Sequence, residues 1–274
     1  MRQAILPVIT IGLFAMVVAD RLSHALSSGS GQTVVEGPTG PGPTPDLDSL
    51  SDSDPLGGGV PDEPTAPSGS TIDRLARLAA RKQLSREAGA TYLDSLMIST
   101  DSVVRRWPDR GSASLRVSMI EGGPAGYRGQ MADFVRDAFG QWETLGIGVR
   151  FAPVADTSDA DIVVRWIDRF DFDRAGQTDL TWDQAGRVRK ASITLALRTN
   201  TGVTLPDAAL ITVALHETGH ALGLPHSADS NDVMFPSART KTLSERDRRT
   251  AQVLYQLQPG PVRDPVEAAV TGLQ

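Results

Sequence analysis

An α+β domain, in which helices pack against a mixed β-sheet, is the fold this sequence predicts. Two observations carry it. Between Ser114 and Leu197 short strand-like segments are interrupted by one long amphipathic stretch, in the order strand, helix, strand, strand and, after a polar stretch, strand. That order suits a sheet of mixed direction covered by helices. Two further helical stretches follow, one opening on Pro206–Asp207 and one on Ser244 with Asp247 three residues later.

Taken from the start, the chain opens with Arg2 and an uncharged apolar run, Ala4–Ala19, within a segment 1–26. A basic residue, an apolar core and small residues at Val17 and Ala19 describe an export signal cleaved before Asp20. An uncleaved membrane anchor fits equally, although the run is short of the roughly 20 residues a spanning helix needs. Either reading takes the rest of the chain out of the cytoplasm. Residues 27–70 are rich in Gly, Pro, Ser and Asp, with little to build a core, and read as a disordered linker. Residues 71–102 return to helical spacing at Ile72, Leu75, Leu78 and Ala79, as one helix or two broken near Gly89. This connecting segment can pack, inhibit or merely connect.

The folded domain is expected over residues 103–258. "SLRVSMI" (Ser114–Ile120) alternates and predicts a strand. A helix is expected from about Arg128 to Leu145, with Met131, Phe134, Val135, Ala138, Phe139 and Trp142 on its apolar side. "GVRFAPV" (Gly148–Val154), "DIVVRWI" (Asp161–Ile167) and "ASITLAL" (Ala191–Leu197) predict further strands, with Asp168–Arg189 between the last two read as a long polar loop. Pro206 and Asp207 suit a helix start, and Gly223 can end that helix with positive φ. Ser244 and Asp247 form a shortened capping box for a last helix, Ser244–Leu257. Residues 259–274 read as a flexible tail.

"HETGHALGLPH" (His216–His226) holds three of the chain's four histidines. The fourth, His24, is assigned nothing. On a helix His216 and His220 lie about 40° apart, so both rings leave one face. After the bend at Gly223, His226 can return as a third nitrogen ligand. Three neutral imidazoles suit Zn²⁺ and leave one tetrahedral position for water, as catalytic zinc sites do. Glu217, about 100° further round, is placed to act as general base on that water and then as acid toward a leaving amine.

The pattern His-Glu-x-x-His-x-x-Gly-x-x-His followed by a methionine resembles that of the metzincins. "HETGHALGLPHSADSNDVMFP", with Ser227 after the third histidine and Met234 in "VMFP", is similar to the matrixin (matrix-metalloprotease-like) branch in a compact, bacterial-type form. The likeness extends more weakly over Val103–Leu257. It implies a metzincin-like twisted sheet, with an active-site helix and a C-terminal helix, and a zinc metalloendopeptidase acting on peptide or protein substrates. Met234 would support the histidines from below. The substrate would lie along an edge strand, by order Ala191–Leu197, and Val213, Phe235 and Pro236 match positions that line the family's pocket. The departures are definite. No histidines remain for a second, structural zinc. Ala238 stands where a tyrosine is frequent, and Gly58 stands where "GGVPDEP" would need the latency cysteine.

Composition narrows the alternatives. Residues 27–70 carry seven acids and no Lys or Arg, so of a formal net charge of −6 the remainder holds only about +1. That argues against a nucleic-acid partner. Without cysteine there are no disulfides or thiolate ligands. Asp168, Asp171, Asp173, Asp179 and Asp183 could offer hard oxygen ligands to Ca²⁺, though a solvated acidic loop is the expectation. A monomer is expected, with Ala4–Ala19 as the one segment suited to a membrane. The alternative function is a non-catalytic zinc- or peptide-binding module displayed at the cell surface.

Overall fold

A computed structural model of the chain describes residues 9–12, 71–94, 96 and 102–262. Its elements in chain order are β1 (Ile9–Gly12), α1 (Thr71–Arg86), β2 (Val103–Val104), β3 (Leu115–Met119), α2 (Gln130–Glu143), β4 (Phe151–Pro153), β5 (Ile162–Ile167), β6 (Gly176–Trp182), β7 (Val188–Ala196), α3 (Asp207–Ala221), α4 (Glu245–Gln256) and β8 (Gly260–Pro261). The expected α+β architecture is present. β3 pairs in parallel with β4 and β5, β5 pairs in parallel with β7, and β6 closes the five strands antiparallel to β7. Of the apolar run Ala4–Ala19, expected as a helix, only Ile9–Gly12 is described. It is extended and pairs antiparallel with Gln177–Leu180 of β6. β-branched Ile9, Thr10 and Ile11 favour that conformation. The expected linker 27–70 and His24 lie outside the described residues, as does the tail from residue 263.

Two expectations are corrected. The stretch Asp168–Arg189 is not all loop, because Gly176–Trp182 forms β6. Its buried face is Gly176, Thr178 and Leu180, alternating with Gln177, Asp179 and Thr181. Glycine and threonine on the inner face hide the apolar alternation by which a strand is usually read. In the six-stranded order β1-β6-β7-β5-β3-β4 only Ile9–Gly12 pairs outside β6, and Ala191–Leu197, expected as an edge, lies inside between β5 and β6. The start of the presumed flexible tail is also ordered: β8 pairs with β2, and Val262 is buried and donates its N–H to Ser102 O.

Helix α3 is the structural centre. It packs on α2 and on the inner face of β6 and β7, and its residues from Thr212 to Ala221 are all buried. A buried helix must still satisfy its end carbonyls, and here the core does so. Trp107 Nε1 donates to Ala221 O at 2.8 Å and Tyr255 Oη donates to Leu222 O at 3.0 Å, while Trp142 Nε1 adds a bond to the mid-helix carbonyl of Leu215 at 2.9 Å. Gly223 then turns the chain with φ of +98°. A Cβ there would strike the Arg105 carbonyl oxygen.

The end of α1 and the residues after it pack on α4, whereas Ile72, Leu75 and Leu78 on its expected apolar side are exposed. Leu84 and Leu93 are fully buried, Glu87 accepts from Arg249 Nε at 2.9 Å, and Gln83 donates to Gln256 at 2.8 Å. Of this stretch, packing is seen from the end of α1 onward.

Gly223→Ala combines a left-handed backbone with a backbone collision. It is expected to cost at least about 2 kcal/mol. Thermal melting should fall by roughly 5–10 °C for a domain of this size, while Gly129→Ala, with open space around its Cβ position, should melt near wild type.

Candidate metal centre

The three histidines converge. His216 and His220 leave one face of α3 and are fully buried, and His226 returns to them past Gly223. His216 Nε2 lies 3.0 Å from His220 Nε2, which lies 3.1 Å from His226 Nε2. These contacts are not hydrogen bonds, at least for the first pair. His216 Nδ1 is 2.6 Å from Val233 O and His220 Nδ1 is 2.8 Å from Leu224 O. A carbonyl can only accept, so both rings carry their proton on Nδ1 and turn bare Nε2 lone pairs toward each other. Burial holds His216 down to about 3 and lowers His220 and His226 as well, so the rings stay neutral.

Converging lone pairs with no proton between them need a cation. A tetrahedral ion with Zn–N bonds of about 2.0–2.1 Å separates its nitrogens by about 3.3 Å, close to the spacings here. Among the described residues this is the one group of three potential ligand residues whose atoms lie together. The aspartates suggested for calcium do not gather in that way. Asp183 is held by Arg187 and Arg189, Asp168 faces Arg198, and Asp179 accepts from Gln177.

Beneath the histidines lies Met234, fully buried. A Cβ on Gly219 would collide with its sulfur and come within 2.9 Å of Trp142. Gly219 is therefore the space through which the methionine reaches the helix between His216 and His220. The loop bearing His226 is tied to this turn, since Ser227 N donates to Met234 O at 2.8 Å and Ser227 Oγ donates to Asp232.

Glu217 is fully buried. Thr178 Oγ1 of β6 donates to its Oε2 at 2.6 Å, and its Oε1 has no hydrogen-bond partner. Burial pushes the carboxyl up to about 8, against the Thr178 hydrogen bond and the charge of Arg174. A divalent cation on the adjacent histidines would act in the opposite direction and favour the carboxylate. The β6 backbone runs so close that a Cβ on Gly176 would lie 2.5 Å from Oε1 and 2.7 Å from Val213 Cγ1.

A glutamate set directly after the first of three converging histidines, above a buried methionine turn, matches the metzincin arrangement in space as well as in sequence. The matrixin family model (Peptidase_M10) matches residues 107–256. The chain belongs to the matrixin family. This matrixin is accordingly a metallopeptidase of a zinc-dependent family. Val213 is buried against β6, and Phe235 and Pro236 are half-buried in the turn after Met234. Thr178 was not legible as a site residue, because its strand carries no strong apolar alternation.

Thr178→Val removes the hydroxyl that orients Glu217. Loss of one hydrogen bond to a charged group is expected to lower kcat on the order of tenfold to hundredfold, with zinc content unchanged by metal analysis.

Proposed function

We propose that this matrixin is an exported endopeptidase in which Glu217 is the general base. The observation that carries the proposal is the pair of oxygens on one buried carboxylate. Oε2 is held by Thr178 and Oε1 is unpartnered. An oriented acceptor with one vacant oxygen is what proton transfer from water requires. His216, His220 and His226 would hold the zinc, which when bound supplies Lewis acidity and lowers the pKa of water.

The chain's own residues then do the following. Glu217 Oε1 takes a proton from water as the water oxygen bonds to the scissile carbonyl carbon. Glu217 returns that proton to the amide nitrogen as the C–N bond breaks, leaving a carboxylic acid and an amine. Thr178 keeps the carboxyl in place through both transfers. Substrate would lie along β6, whose edge already accepts an extended segment, Ile9–Gly12, in antiparallel pairing. Val213, Phe235 and Pro236 would border the side chain after the scissile bond. Export rests on the apolar run Ala4–Ala19 preceded by Arg2, and cell fractionation against a variant lacking it tests that part.

The central test is digestion of a diverse peptide library. Cleavage should stop with a zinc chelator and return with zinc. Glu217→Ala should retain zinc while kcat falls by roughly 10²–10⁴. Wild-type protein that binds zinc and cleaves nothing, with Glu217→Ala indistinguishable from it, would instead identify a binding module.

A further inference from the structure

The matrixin match begins at Trp107, yet the segment before it reaches the metal centre. Tyr92 is 4% exposed and donates its hydroxyl to Asp247 Oδ1 at 3.0 Å. Asp247, on the first turn of α4, is fully buried. Its Oδ2 accepts from Val233 N at 2.8 Å and from Ser244 N at 2.9 Å, and Oδ1 lies 3.4 Å from Met234 N. Val233 O in turn accepts from His216 Nδ1 at 2.6 Å. A continuous run of hydrogen bonds thus passes from Tyr92 through one carboxylate to the methionine turn and on to a zinc-ligand histidine.

We propose that Tyr92 is a positioning residue of the metal centre, acting through Asp247 and the Met234 turn, so that the site draws on a residue from outside the matched domain. This rests on the assignment of His216, His220 and His226 as zinc ligands. A buried carboxylate with several inward donors is costly when one is lost. Without the Tyr92 hydroxyl, Asp247 is freed to shift toward its remaining partners, and the backbone N–H groups of Val233 and Met234 that it holds shift with it. Groups that orient a ligand histidine from behind commonly alter metal affinity by about 10–100-fold. Burial, and then the charge of Asp247, raises the Tyr92 phenol well above its usual range, so it remains a donor. The surroundings hold the relay in place. Arg246 stacks over the Tyr92 ring at 5.7 Å and donates to Thr91 O at 3.2 Å, and its other side pairs with Asp232.

The experiment compares full-length, zinc-loaded wild type with Tyr92→Phe and with Glu87→Gln. The latter loosens the same interface through Arg249, away from the relay. Zinc release into a chromophoric chelator, kcat and KM on one peptide, and thermal melting are measured for each. Tyr92→Phe is expected to release zinc about tenfold faster and to lose kcat with KM unchanged. Glu87→Gln should match wild type in both. Equal zinc release and kcat in Tyr92→Phe and wild type overturns the proposal, as does an equal effect from Glu87→Gln, which would mean that only docking stability matters. A wild type that holds no zinc overturns the ligand assignment itself, a result distinct from either.

Discussion

Two backbone carbonyls govern this molecule's metal centre. Val233 O and Leu224 O each accept a hydrogen bond from the Nδ1–H of one histidine, and so decide that the Nε2 lone pairs of His216 and His220 converge, with His226 Nε2 beside the latter. Everything near α3 serves to keep those carbonyls still. Leu224 O is fixed by the left-handed turn at Gly223, and Val233 O by the turn whose N–H groups reach Asp247. A side chain can change rotamer at little cost, but a carbonyl within a packed turn moves only with its backbone. Neutrality follows from the same burial, which disfavours the imidazolium form of all three rings.

Much of this was legible in the residues. Histidine scarcity and spacing pointed to the residues that converge, because helical periodicity converts four residues of separation into one shared face. The bend at Gly223 and the Ser244–Asp247 cap were legible for a similar reason, since each depends on local backbone chemistry. What escaped was long-range. β6 carries Gly176 and Thr178 inward, one to make room for Glu217 and the other to bond it. Both requirements exclude the large apolar residues that would have revealed a strand. Function erased the signal, and with it the inner position of Ala191–Leu197 in the sheet.

The second gap has the same origin. Asp247 looked like a capping residue, and it is one, through Ser244 N. Its remaining bonds join segments distant in sequence, which no local pattern records. A single carboxylate thereby does two jobs, starting α4 and tying the methionine turn to the chain before the family domain.

The span of that tie has a consequence for how the protein comes into being. Tyr92 and Asp247 are 155 positions apart, whereas His216 and His220 are neighbours on one helical turn. Closing so long a loop carries an entropic cost that a local helix avoids. The shared face of the first two imidazoles is thus a local property, while the clamp behind them must be closed across the sequence. The rigidity behind the histidines therefore carries the larger entropic cost of closure, and it depends on the docking of α4.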